Sequence, residues 1–203
     1  MPSVRQEGLR WLRAKGLDPQ DPPPPTFPDP PPSKSPDPPP KKFKYKPYWQ
    51  ECLDDLYSSY GGICAYLAIF FERETGTATT DHFFAKSKTR MASAYEWKNY
   101  RLACSLMNTR KGVSDQVLDP FEMEPDTFQL ELCSGRIAPN PEIPDELKAR
   151  AQKTIDKLKL DSPGNRDMRT RRFGEYIEGH CSFAFLRKKS PFIFYEAQRQ
   201  GLL

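Results

Sequence analysis

Histidine is scarce in this chain, with only His82 and His180 among 203 residues. Long apolar runs are missing as well. The longest candidate, "ICAYLAIFF" at 63–71, falls well short of the roughly 20 residues that a membrane span needs. The opening "MPSVRQEGLRWLRAKG" has no apolar signal core. The expectation is therefore a soluble, cytoplasmic chain. The five cysteines (Cys52, Cys64, Cys104, Cys133 and Cys181) are odd in number and widely spaced, which argues for reduced thiols over a disulfide framework. Internal repeats are absent. Charge of one sign is not in great excess: 31 Lys and Arg against 27 Asp and Glu give +4 and a pI near 8.7. That balance permits a nucleic-acid partner without requiring one.

Proline, by contrast, is abundant and concentrated: 14 of the 22 prolines lie between Pro19 and Pro47. Such a tract supports neither a helix nor a sheet interior, because proline lacks the amide donor and fixes φ. It reads as an extended, polyproline-II spacer or docking strap, or as a leader with no role. Ahead of it, "SVRQEGLRWLRAKG" has the makings of a short helix ending at Gly16, with Leu9, Trp11 and Leu12 as apolar anchors. So short a helix needs either the domain body or a partner to hold it. Residues 1–47 are thus assigned to a partner-docking helix and strap, and 48–203 to the main domain. The tract closes on "KKFKYKPYW", where lysines alternate with aromatics, a pattern suited to phosphates and bases. The alternative is that these rings dock into the core, which is the better reading for Trp49.

Periodicity outlines the main domain. "YWQECLDDLYSSYGG" (48–62) has helical spacing and a glycine stop. "ICAYLAIFF" and "TATTDHFFAKS" read as a hairpin, or as a strand after an irregular turn. The second half of 93–112 suits a helix stopped by Gly112. "TFQLEL" alternates and runs into a turn at Ser134-Gly135, hence a second hairpin. Residues 144–161 place Leu147, Ala151, Ile155 and Leu158 on one helical face. "NRDMRTRRFGEYIEG" continues as helix, and the aromatic C-terminus is helical near its end. The sum is an α+β chain.

One constellation carries chemistry. Asp81 and His82 end a strand, Asn99 follows 17 positions later in "WKNYRLAC", Asn108 nine further on, and then Lys111 in "NTRK". An isolated Asp-His pair is most simply a turn cap beside a surface residue. The fourfold spacing says otherwise. Together, "YSSYGGICAY", "TTDH", "NYRLAC" and "SLMNTRK", spanning 57–112, resemble the HNH nuclease family. The resemblance implies a ββα-metal core with flanking helices, and an endonuclease hydrolysing phosphodiesters, DNA favoured and RNA possible. By that resemblance His82 is the general base, Asn99 the asparagine that ties the loop and helps hold His82, and Asp81 and Asn108 the metal ligands. Lys86, Lys88, Arg110 and Lys111 are candidate nucleic-acid contacts. An oxygen-rich Asp/Asn set suits Mg²⁺ or Mn²⁺, which retain waters and bind phosphate directly. His180 has no companion motif and is assigned a structural role.

The departure from the family lies in the cysteines. Many HNH nucleases hold a structural zinc with two C-x-x-C pairs. Here the corresponding positions are Cys64 with Leu67 and Cys104 with Met107, so no structural zinc is expected and Leu67 and Met107 should fill its volume. Over 43–170 the sequence further resembles the HNH proteins, of the PtuB type, from Septu and retron-associated anti-phage systems. That likeness implies a toxic effector working with an ABC-type ATPase, and a retron reverse transcriptase with its RNA–DNA as a further possible partner. A different class remains open: a catalytically idle nucleic-acid-binding or adaptor module on an HNH scaffold.

Overall fold

A computed structural model describes residues 4–14, 44–86 and 91–203. The proline tract apart from Pro47 lies outside that set, as do Gly16 and Lys88. Its class is α+β: two small antiparallel hairpins amid short helices. Among the described residues no helix is long and apolar enough to cross a membrane.

Helix α1 (Val4–Ala14) precedes the tract. The body opens with a 3-10 turn, Tyr48–Cys52, running into α2 (Leu53–Ser59). Tyr60 through Gly62 then turn the chain sharply. Of the two readings, a hairpin or a strand after an irregular turn, the structure has the second: residues 63–71 do not pair with the strand that follows. They close on themselves through an Ile63–Phe70 bridge, with Ala68 at φ 50 inside the loop. The intervening "RETG" winds into a single helical turn, α3 (Arg73–Gly76). Strand β1 (Ala78–His82) instead pairs with β2 (Tyr100–Cys104), placing Asp81 opposite Arg101 and His82 opposite Tyr100. Two further 3-10 turns, Met91–Tyr95 and Trp97–Asn99, make the connection. Helix α4 (Ser105–Lys111) follows β2 directly.

The β1–β2 hairpin lies between α2 on one face and α4 on the other. Side chains alternate across a strand, so the two faces bury different sets. Ala78, Tyr100 and Leu102 pack with Cys52 and Leu56 of the α2 side. Ala103 packs with Met107 of α4, Cys64 and Tyr66. Each fully buried leucine of this kind contributes about 1.5–3 kcal/mol.

The C-terminal half behaves as its periodicity predicts. Strands β3 (Phe128–Glu131) and β4 (Arg136–Pro139) form the second hairpin. Gly135 turns it at φ +67, where a Cβ would lie 2.1 Å from the Arg166 carbonyl, so only glycine fits. Helix α5 (Asp145–Leu158) buries Ala151, Ile155 and Leu158, with Leu147 half-buried beside them. Helices α6 (Pro163–Ile177), α7 (Phe183–Lys189) and α8 (Pro191–Arg199) complete the chain. Arg169 of α6 is buried and donates to the carbonyls of Gly135 and Leu160, tying the second hairpin to the end of α5.

Candidate functional site

Asp81 and His82 are consecutive, and the strand directs them to opposite faces. His82 faces the α2 side and is 8% exposed. Its ring meets Trp49 edge-on at 4.8 Å and Tyr100 at 5.2 Å. Its Nε2 lies 3.0 Å from the carbonyl oxygen of Ala94. A carbonyl only accepts, so this nitrogen carries the proton. Burial, aided by the Lys86 charge, lowers the imidazole pKa to about 4. The ring is therefore neutral near pH 7, and Nδ1 holds the lone pair. The Tyr100 hydroxyl donates to the same Ala94 carbonyl, also at 3.0 Å.

Asp81 faces α4 and is 3% exposed. The Tyr66 hydroxyl donates to its Oδ2 at 2.5 Å, and the Lys111 ammonium lies 3.1 Å from Oδ1 and 3.0 Å from Oδ2. Burial raises the Asp81 pKa, and Lys111 and Tyr66 oppose that rise. Lys111 also donates to the His82 carbonyl at 2.8 Å. It was expected as a nucleic-acid contact; with no exposure at all, it instead belongs inside the site, neutralising Asp81. One turn earlier on α4, Asn108 donates from Nδ2 to Thr79 Oγ1 at 3.0 Å. Thr79 and Asp81 share a face of β1, so Asn108 and Asp81 sit side by side between strand and helix.

The Asn99 side chain bonds to backbone rather than to the His82 ring. Its carboxamide accepts from the Phe84 amide at 2.7 Å and donates to the carbonyls of Phe84 and Ser93 at 3.1 and 3.0 Å. Its own carbonyl accepts from the Phe83 amide at 2.9 Å. Asn99 thus staples the chain leaving His82 to the Met91–Tyr95 turn that carries Ala94, and holds the histidine at one remove.

The other expected contacts divide. Lys86 lies over the Trp49 ring at 3.7 Å, where burial lowers its pKa and the Asp81 charge opposes that. Trp49 in turn packs on His82, and the Lys86 charge helps to hold the imidazole pKa down. Arg110 turns away, donating to the Leu158 carbonyl at 3.1 Å at the end of α5. Lys88 lies outside the described residues. His180 is exposed, with Nδ1 3.3 Å from a Glu178 carboxylate, so it has no buried structural role.

Trp49 packs against the core, as read from the sequence, and the same ring forms one wall of the His82 pocket. Sequence reasoning missed two further supports. Tyr66, in the irregular 63–71 loop, bonds Asp81. Beneath the hairpin Arg101 forms a buried ion pair with Asp119, with Nε to Oδ1 at 2.8 Å and Nη2 against Oδ2. Only the sequence signal for Arg101, a lone charge in the apolar "YRLAC", was available to find it.

Cys64 and Cys104 face one another with sulfurs 4.0 Å apart, beside Met107 and Leu67. Cys64 is buried and donates; its bond to Cys104 and its burial hold it well above the usual thiol range. Cys104, half-buried, accepts and is lowered to about 6 by that bond. Among the described residues no group of three or more His, Cys, Asp or Glu is gathered in a metal-binding cluster.

The chain matches no known family model, and no curated protein matches it.

Proposed function

We propose that the protein is a metal-dependent endonuclease of the HNH type, hydrolysing phosphodiester bonds in nucleic acid. The observation that carries this reading is the state of His82. With Nε2–H committed to the Ala94 carbonyl, a neutral ring presents Nδ1 as a base. In hydrolysis Nδ1 takes a proton from water, the water oxygen bonds to phosphorus, and the bond from phosphorus to the leaving sugar oxygen breaks, that oxygen taking a proton from solvent. A bound phosphate places negative charge near the ring, which raises the imidazole pKa towards neutrality and strengthens it as a base. Lys86, held over the Trp49 ring beside His82, attracts that phosphate. Asn99 and Tyr100 hold the carbonyl framework that orients the ring.

Asp81 and Asn108 supply a carboxylate and a carboxamide on one face. Both are hard oxygen donors of the kind Mg²⁺ or Mn²⁺ takes; Lys111 and Tyr66 occupy both Asp81 oxygens, so an ion would take the place of the Lys111 ammonium. When bound, the ion offsets the charge that develops on phosphate. The resemblance to Septu and retron-associated proteins supports a role as an anti-phage effector acting with an ABC-type ATPase.

A second reading draws on Lys111. Its ammonium already neutralises Asp81, as an idle nucleic-acid-binding scaffold would permit. Incubating the protein with Mg²⁺ and plasmid, linear DNA or tRNA, with and without the ATPase, separates the two. Cleavage by the wild type and none by His82→Ala supports the nuclease; binding without cleavage in every arm supports the scaffold.

A further inference from the structure

We infer that α1 is an in-chain clamp: docked on the Met91–Tyr95 turn, it fixes the Ala94 carbonyl and thereby the tautomer of His82. The argument begins with what α1 touches. It meets the body through two 3-10 turns, Tyr48–Cys52 and Met91–Tyr95. Leu12 has no exposure and packs against Met91, Ala94 and Tyr95. Gly8 lies so close to the Tyr95 ring that a Cβ there would fall 2.1 Å from Cγ. The helix therefore presses on the turn along both Gly8 and Leu12, one helical turn apart.

That turn is the far wall of the histidine pocket. The Ala94 carbonyl accepts from His82 and Tyr100, and the Ser93 carbonyl accepts from Asn99. A second route runs through rings: Tyr95 lies 6.1 Å from Trp49, which lies 4.8 Å from His82. The turn itself is a single short 3-10 segment, with no strand pairing of its own to set its position. An 11-residue helix is marginal in isolation, so α1 forms and docks as one event. Because α1 reaches this turn across the whole proline tract, it is joined to the site by docking and not by chain continuity. Releasing it frees the Ala94 carbonyl to move, and with it the hydrogen bond that selects Nε2–H. This gives α1 a positioning role in the reaction proposed above, and that part of the inference rests on the nuclease reading. The tautomer does not.

The test uses the full-length chain. Gly8→Ala raises intrinsic helix propensity while its methyl collides with Tyr95, so a loss of function cannot come from a weakened helix. With ¹⁵N-labelled histidine only two rings report, and exposed His180 serves as the internal reference. The wild type should show His82 as a single Nε2–H tautomer. In Gly8→Ala the two His82 nitrogen shifts should converge towards a tautomer mixture, and Mg²⁺-dependent cleavage should fall at least about tenfold, a fraction of the loss of a general base. Unchanged His82 nitrogens overturn the inference, including the case where only the melting temperature drops. If Gly8→Ala does not fold, a protease site placed in the proline tract lets α1 be cut free after folding. Removing the fragment should shift the His82 nitrogens, and adding back a peptide of residues 1–16 should reverse the shift; nitrogens indifferent to the fragment overturn the inference. Should the wild type cleave nothing while the nitrogens still respond, the nuclease reading fails and the clamp stands.

Discussion

Asp81 and His82 are joined by one peptide bond, yet the Lys111 ammonium unites the carboxylate of the first with the carbonyl of the second while their side chains point to opposite faces of the hairpin. One buried cation therefore braces the end of β1 from beneath. His82 on one face and Asp81 with Asn108 on the other share a backbone that Lys111 and Asn99 brace. Five consequences are measurable.

Replacing His82 with alanine or glutamine should lower cleavage by about 10²–10⁴-fold, the usual scale for a general base. The two variants should differ in stability. Alanine leaves a cavity between Trp49 and Tyr100, whereas glutamine keeps much of the volume. Paired rate and melting measurements check this; wild-type cleavage by either variant removes His82 from the reaction.

Asn99→Ala should destabilise the fold by about 1–3 kcal/mol, because it strands the Phe84 amide and two carbonyls in a site that is 4% exposed. Asn99→Asp keeps the acceptor for the Phe84 amide and loses both donations, so it should also be destabilised. Urea midpoints provide the comparison, and a midpoint equal to wild type for Asn99→Ala would refute the staple.

Breaking the buried Arg101–Asp119 pair from one side should cost about 3–5 kcal/mol, since the remaining charge is left without its partner. The Arg101→Met/Asp119→Leu double variant should recover much of that loss. A double-mutant cycle by chemical denaturation reads the coupling; additive single effects would mean the pair is energetically silent.

Cys104 should alkylate with a rate that rises through about pH 6, because the thiolate forms above its lowered pKa. Cys64→Ala removes the donor that lowers it. The inflection should then move up towards the ordinary thiol value of about 8.5. Peptide mapping by mass spectrometry after brief iodoacetamide treatment follows each site, and a profile unaffected by Cys64→Ala would break the link between the two sulfurs.

Elemental analysis of the purified protein should find no stoichiometric zinc, because Cys64 and Cys104 offer two thiolates where a closed site needs four ligands. Chelation should stop cleavage and leave the melting curve in place. One zinc per chain would overturn the expectation placed on Leu67 and Met107.

What the sequence by itself determined is local. The apolar spacing of Ala151, Ile155 and Leu158 specifies the buried face of α5, and "TFQLEL" before Ser134-Gly135 specifies a hairpin, because a 3.6-residue or two-residue period is written within a few turns of chain. The order Asp81, His82, Asn99, Asn108 likewise marks one short region as the place to look for chemistry. The tertiary structure decided the partners. Periodicity reports that a face is apolar but not what covers it, so it leaves open whether β1 pairs with 63–71, and the fold pairs it with Tyr100–Cys104. Nothing in "NTRK" tells whether Lys111 is solvated or buried, and only the approach of α4 to β1 encloses it against Asp81. The docking of Leu12 on Met91 and Ala94, across the full proline tract, has no local signature at all, because the free energy that selects it comes from burying two distant surfaces together.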